Sequence, residues 1–229
     1  MKNLKDCRVL VTATSYAMND PTLRSDLEAA VGEVIYNPTE HPLTAHELAA
    51  LVGGIDGMIA GLDEINHEVI DAADRLHIIA RYGVGLDRVD LEAARKKGVI
   101  VTNTPGANAT SVAELTVGLM IVLARHIGEA TRRTKAGEWP RLKGTSLSGK
   151  TIGLLGLGSI GRRVAQLLGG FDCRVIGYDP VVGVDESAAM GVEWMARDEV
   201  IRRADFLSLH MPLVPETENL FNRERIAQM

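Results

Sequence analysis

Apolar residues in this chain come in short runs, and the runs alternate with helical stretches in the order strand, helix, strand. Arg8-Val9-Leu10-Val11-Thr12, Glu33–Tyr36, Gly57–Ala60, His77–Ala80 and Val99–Thr102 predict five strands. Asp20-Pro21 opens the first intervening helix, because Asp accepts from free amides and Pro suits the first helical position. Thr44-Ala45-His46-Glu47 has the spacing of a capping box, so a second helix runs from there to Gly53-Gly54. Asn66 caps a third helix through Ala73. Asp90 caps a fourth to Lys97, and Gly98 stops it. Strands and helices in this order make a complete parallel α/β layer.

The pattern then breaks. Asn103 to Ala109 holds Pro, Gly and two Asn, a candidate hinge. One long helix is predicted from about Ser111 to Ala136, followed by an irregular stretch from Glu138 to Ser148. A second alternating series starts at Thr151, with strands at 151–155, 173–177 and 205–209 and a short one near Val192. Helices are predicted at 160–169, 186–190 and 197–203. The expected domains are residues 1–102 and 103–229.

Composition narrows the partners. Hydrophobic residues make up 46% and charged residues 24% of the 229, ordinary for a soluble globular protein. Aromatics are only 4%, so the core must be built from Ala, Val, Leu and Ile, which suits buried parallel strands. A net charge of -5 gives no general attraction to phosphate backbones, which argues against nucleic acid. Cys7 and Cys173 form no spaced cluster and read as reduced packing residues, with no metal site expected. The polar start Met1-Lys2-Asn3-Leu4-Lys5-Asp6 lacks a signal-peptide core. Val112 to Ala124 is too short to span a bilayer and contains Glu114, so a cytoplasmic protein without a membrane partner is expected.

The chemistry concentrates after Thr151. The strand Thr151–Leu155 leads into Gly156-Leu157-Gly158-Ser159-Ile160-Gly161, and a helix follows from Arg162 to Leu168. In that context the glycines have distinct tasks: Gly156 allows a tight turn, Gly158 lets a pyrophosphate approach the backbone, and Gly161 lets helix and strand pack closely. The pyrophosphate would sit on the free amides and positive dipole end of the helix. The next strand ends at Asp179, close to the ~20 residues beyond the glycines at which an acid accepts from the ribose hydroxyls. That carboxylate would repel a 2′-phosphate, and Pro180-Val181-Val182 offers no Arg to receive one. NAD is therefore the expected cofactor in preference to NADP.

Further stretches carry a resemblance. Arg81-Tyr82-Gly83-Val84-Gly85-Leu86-Asp87, Val101 to Asn108, Ser111-Val112-Ala113-Glu114-Leu115, the glycine loop, Gly177-Tyr178-Asp179-Pro180, Leu209-His210-Met211-Pro212 and Pro215-Glu216-Thr217 together resemble the D-isomer-specific 2-hydroxyacid dehydrogenase family, its phosphoglycerate dehydrogenase branch most closely. The resemblance implies an α/β protein of two parallel doubly wound domains. Residues 1–102 would form a flavodoxin-like substrate domain and 103–229 a Rossmann NAD-binding domain, with the active site in the cleft between them. Gly83-Val84-Gly85 would present amides to the substrate carboxylate, beside Arg81. Gly156, Gly158, Ser159, Ile160, Gly161, Asp179, Pro180, His210, Met211, Pro212 and Thr217 would line the cofactor. His210 would stand near the cofactor without serving as acid or base. The helix from Ser111 would enter a homodimer interface.

The resemblance also exposes departures. The family's Arg and His–Glu pair, which polarise the carbonyl and move the alcohol proton, would lie beyond Met229, so no catalytic residue is assigned here. The Rossmann unit is expected to be incomplete at its C-terminus: Phe206-Leu207-Ser208-Leu209 would lack a neighbour strand, and a helix from Asn222 would reach Met229 without a cap. A truncated sequence is expected, able to contact NAD but not to turn over. Phosphoglycerate dehydrogenases commonly place an Arg at the end of the third strand for the substrate phosphate, where this chain has Ala60-Gly61. The leading function is NAD-dependent oxidation of 3-phosphoglycerate to 3-phosphohydroxypyruvate, a step of serine biosynthesis. Glyoxylate or hydroxypyruvate reduction, or a non-catalytic NAD-binding role, are the alternatives.

Overall fold

The computed structural model describes residues 3–229; Met1 and Lys2, which begin the polar start, lie outside the described residues. The chain divides into two compact units, Met1–Ala107 and Asn108–Met229. In the first, a 3-10 turn at Leu4–Asp6 precedes β1 (Arg8–Val11), α1 (Thr22–Ala30), β2 (Glu33–Tyr36), α2 (Ala45–Leu51), β3 (Gly57–Ala60), α3 (His67–Ala72), β4 (Ile78–Arg81), α4 (Leu91–Lys97) and β5 (Ile100–Thr102). All its strand pairs are parallel, in the order β2-β1-β3-β4-β5, which is the flavodoxin-like order.

Register explains the core of this unit. Ile35, Leu10, Met58, Ile79 and Val101 align across the five strands and therefore share one face. Leu10, Met58 and Ile79 are buried in one cluster with Leu48 of α2 and Val69 and Ile70 of α3. The caps follow the sequence closely. Thr44 and Glu47 form the reciprocal capping box, Asn66 and Asp90 accept amides of the first turns of α3 and α4, and Gly98 closes α4 in the left-handed conformation. At α1 the register is shifted: Pro21 occupies the cap position, and Asp20 Oδ1 accepts from the Thr22 N–H at 3.0 Å.

The second unit comprises α5 (Ala109–Ala124), α6 (Ile127–Lys135), β6 (Thr151–Leu155), α7 (Ser159–Leu168), β7 (Arg174–Tyr178), α8 (Val184–Ala189), β8 (Glu193–Trp194), α9 (Arg197–Arg203), β9 (Phe206–Leu209) and α10 (Arg223–Ile226). Its parallel sheet has the order β8-β7-β6-β9, which is 3-2-1-4 counted within the unit, as in a Rossmann sheet. Ile152, Leu154 and Val175 belong to the cluster that takes in Ala113, Val117 and Met120 of α5 and Val164 of α7. Leu155 and Ile176 gather instead with Val200 and Ile201 of α9.

Two elements differ from expectation. The single helix predicted from Ser111 to Ala136 is two helices bent by 64°. His126 adopts φ +54, a left-handed conformation that His tolerates better than most residues, and Thr145 donates its N–H to the Ala124 carbonyl at 2.8 Å. The acceptor that a continuing helix would use is thereby taken. The last helix does not reach Met229: α10 stops at Ile226, and Asn222 caps its start by accepting from the Arg225 N–H. Among the described residues no single helix is long and apolar enough to cross a membrane. The bent pair α5–α6 meets that test only when its two helices are joined.

Candidate functional site

In the second unit the ends of three strands meet at one turn. Gly156 follows β6 at φ +96, donates its N–H to the Tyr178 carbonyl at 2.8 Å, and lies so close to β9 that a Cβ there would meet the His210 carbonyl carbon and oxygen at 2.7 Å. Only glycine combines that dihedral with that contact. A Cβ on Gly161 would collide with the Gly156 carbonyl oxygen, so the first turn of α7 sits directly on the loop. Gly158 is different: it is exposed, and a Cβ there would meet nothing within 4 Å. The N–H groups of Gly158, Ser159 and Ile160 find no acceptor among the described residues, which leaves three amides open at the start of a ten-residue helix. Open amides at a helix start are an anion seat.

Asp179 stands just after β7 and does more than spacing suggested. Its Oδ2 accepts the Leu157 N–H at 2.9 Å, while Oδ1 accepts the Val181 and Val182 N–H groups at 2.8 and 3.1 Å. Burial alone would raise this carboxyl, but the three amides outweigh it and hold its pKa below the ordinary aspartate value. The carboxylate thus stays charged and clamps the glycine loop, with lone pairs left for further donors. Pro180 beside it is exposed.

Beyond β9, His210 is half-buried, with Nε2 within 3.0 Å of Ser208 Oγ; burial lowers its pKa below the ordinary imidazole value. Met211 packs against the cluster of Leu155, Ile176, Val200 and Ile201, and Pro212 is exposed. Thr217 closes the loop after β9: its hydroxyl donates to the Pro212 carbonyl at 2.6 Å and accepts the Val214 N–H at 2.9 Å. That hydroxyl shapes the loop and has little left to offer a ligand.

The first unit carries a separate set. Gly83 sits at φ +150, and its carbonyl accepts from the Thr104 N–H and hydroxyl, both at 3.1 Å. Asn103 Nδ2 donates to the Val84 carbonyl at 2.7 Å. With the carbonyls so held, the N–H groups of Val84 and Gly85 are left without acceptors among the described residues. Bare amides in a turn of this kind can accept an anion. Arg81, at the end of β4, is 7% exposed; its Nη1 donates to the carbonyls of Ala60 and Tyr82 at 3.2 and 3.1 Å. No carboxylate among the described residues pairs with it.

Arg81 faces a cavity of about 70 Å³ that is also lined by Thr12, Ala13, Thr14, Ser15, Gly61 and Tyr82. This lies at the ends of the neighbouring strands β1 and β3, between which the strand order reverses, the switch point at which open α/β sheets bind ligands. A larger hollow of about 630 Å³ near Tyr16 and Tyr36 holds none of the expected site residues. Sequence reading passed over Thr12 and Asp63, both buried at this point. Asp63 accepts from the Thr12 hydroxyl, from the Gly61 N–H at 2.9 Å and from the Leu43 N–H at 2.7 Å. The available signal was an Asp two residues past a Gly at a strand end. No group of three or more His, Cys, Asp or Glu side chains suited to a metal occurs among the described residues.

Residues 117–229 match the model of the D-isomer specific 2-hydroxyacid dehydrogenase, NAD binding domain. A hydroxypyruvate reductase of Thermotoga maritima is 39% identical over 215 residues, which cover 93% of this chain and 69% of that protein. This chain belongs to the D-isomer specific 2-hydroxyacid dehydrogenase family. Another family relative, the human D-3-phosphoglycerate dehydrogenase, is 42% identical over 212 residues, covering 91% of this chain and 39% of the relative. The chain therefore spans about two fifths of the length of such relatives. Among solved structures, NAD+-bound 3-phosphoglycerate dehydrogenase from Entamoeba histolytica superposes with a TM-score of 0.77 at 29% identity, covering 98% of this chain and 68% of that one.

Proposed function

We propose that this chain carries the cofactor seat and the substrate-carboxylate loop of a NAD-dependent oxidoreductase of D-2-hydroxy acids. One observation carries the reading: three open amides at the start of α7, on a loop clamped by a charged Asp179. The fit to NAD follows from the residues themselves. Gly158 leaves the backbone bare where a pyrophosphate would approach, and Asp179 offers ribose hydroxyls a carboxylate but would repel a 2′-phosphate. Bound NAD would accept or return the hydride of the 2-carbon. The amides of Val84 and Gly85 would hold the substrate carboxylate, and Arg81 would add positive charge nearby. His210, neutral and tied to Ser208, would border the cofactor and move no proton.

Two substrate readings follow. The name of the human relative supports 3-phosphoglycerate. The name of the Thermotoga relative, and the absence of a cation at Ala60-Gly61, favour a small unphosphorylated 2-keto acid such as hydroxypyruvate or glyoxylate. A second copy of the chain would cover the apolar stripe of α5 formed by Leu115, Leu119 and Leu123, all exposed. Calorimetric titration with NADH and NADPH tests the cofactor reading. Saturable NADH binding at least about tenfold tighter than NADPH is expected; absence of NADH binding, or equal affinities, would overturn it.

A further inference from the structure

The buried carboxylate of Asp63 lies behind the wall of the Arg81 cavity, and the two side chains differ in how they are satisfied. Asp63 is 1% exposed and takes three donors: the Thr12 hydroxyl and the N–H groups of Gly61 and Leu43. Thr12 and Gly61 line the cavity, so the negative charge stands one hydrogen bond behind its surface. Arg81 supplies the only charged side chain of the lining and has carbonyl oxygens, not a carboxylate, as its partners. A guanidinium this deeply buried without a counter-charge favours an anion. The Asp63 clamp also shuts the loop: a Cβ on Gly61 would meet Ala13 Cα at 2.8 Å, so no side chain, cationic or otherwise, can enter from that position.

We propose that Asp63 is a specificity-determining residue that makes this subsite accept substrates carrying one negative charge and reject those carrying a second. The inference rests on the 2-hydroxyacid reading above and narrows its substrate class to short, unphosphorylated 2-hydroxy and 2-keto acids. The physical basis is a count of local charge. Arg81 brings one positive charge to the lining and Asp63 stands behind Thr12 and Gly61, so one carboxylate is held by the open amides with Arg81 in support. A second anionic group in the same cavity meets the Asp63 field across a single hydroxyl. Like charges at that range, in a poorly solvated site, discriminate strongly.

The test is equilibrium binding to the chain saturated with NADH, using D-glycerate, 3-phospho-D-glycerate and D-malate. D-glycerate is expected to bind at least about tenfold tighter than either of the other two. D-malate makes the comparison without a phosphate, so the result does not depend on any variant folding. In Asp63→Asn the gap between D-glycerate and the two more highly charged acids is expected to shrink at least threefold, a change of about 0.65 kcal/mol in charge interaction. Either of the more highly charged acids binding as tightly as D-glycerate overturns the proposal, as does NADH binding with no affinity for any of the three acids. Failure to bind NADH at all instead overturns the cofactor reading on which it rests.

Discussion

Asp179 Oδ2 accepts the Leu157 backbone N–H at 2.9 Å, so the acid after β7 fixes the loop that leaves β6. The side chain proposed to meet the cofactor's ribose would thus also set the geometry of the proposed phosphate seat. Asp179→Asn would keep the shape but remove the charge and misplace a donor against one of three amides. A partly exposed, charge-assisted acceptor of this kind contributes about 1–2 kcal/mol. NADH affinity is expected to fall by about tenfold or more, and the margin over NADPH to narrow. Calorimetric titration of both nucleotides would show it; unchanged NADH affinity would refute the role.

Gly156 and Gly158 should separate stability from binding. Gly156→Ala must place a methyl against the His210 carbonyl at a positive φ, so a loss of about 2 kcal/mol or more is expected in urea unfolding. Gly158→Ala meets no atom of the protein and adopts an ordinary φ of -69, so stability should hold within about 0.5 kcal/mol. Its methyl would still project where the pyrophosphate approaches, and NADH affinity should drop at least about tenfold. Equal losses of stability in the two variants would contradict this account.

His210 gives a pH dependence with a definite sign. Burial depresses its folded-state pKa, so the unfolded chain binds more protons in the interval below the ordinary imidazole value of 6.5. The stability contribution is complete above that value and is lost as pH falls through the interval. The unfolding free energy from urea titration should decline between pH 7.5 and 5.5, by up to about 1.4 kcal/mol per pH unit for one group. His210→Gln should flatten the slope. A variant with the wild-type slope would assign the dependence elsewhere.

Leu115, Leu119 and Leu123 are spaced four apart on α5 and are 61, 52 and 68% exposed, while Ala113, Val117 and Met120 face the core. An apolar helix with both a buried and an exposed apolar face calls for a partner. Leu119→Glu is expected to convert a dimer into a monomer in sedimentation equilibrium, with little effect on the unit's own fold. A chain that is monomeric at all accessible concentrations would remove the proposed interface.

The strands and caps were legible because their signals are local. Apolar runs, the Thr44–Glu47 pair, Asn66, Asp90 and Gly98 act within a few residues, and the parallel layers followed from alternating elements, while the two strand orders came with the family resemblance. The break at His126 was not legible, because no Gly or Pro marks it and its cause, the Thr145 N–H on the Ala124 carbonyl, comes from twenty-one residues beyond Ala124. The Thr12–Asp63 clamp and the amides held by Asp179 were missed for the same reason: each joins separate strand ends, and only the folded sheet brings them together.

Gly156 donates to the Tyr178 carbonyl, and beside it the His210 N–H reaches the Leu155 carbonyl at 2.7 Å. The loop therefore continues the ladder of the central strands and does not hang from it. Such a seat cannot open by itself as a lid does. The Gly156 and His210 amides should exchange with solvent only when the sheet of that unit melts, whereas the open amides of Gly158, Ser159 and Ile160 exchange freely until a ligand covers them. A dinucleotide gripping that seat would then slow exchange throughout β6, β7 and β9 together, so the imprint of occupancy is a stiffening of an entire layer.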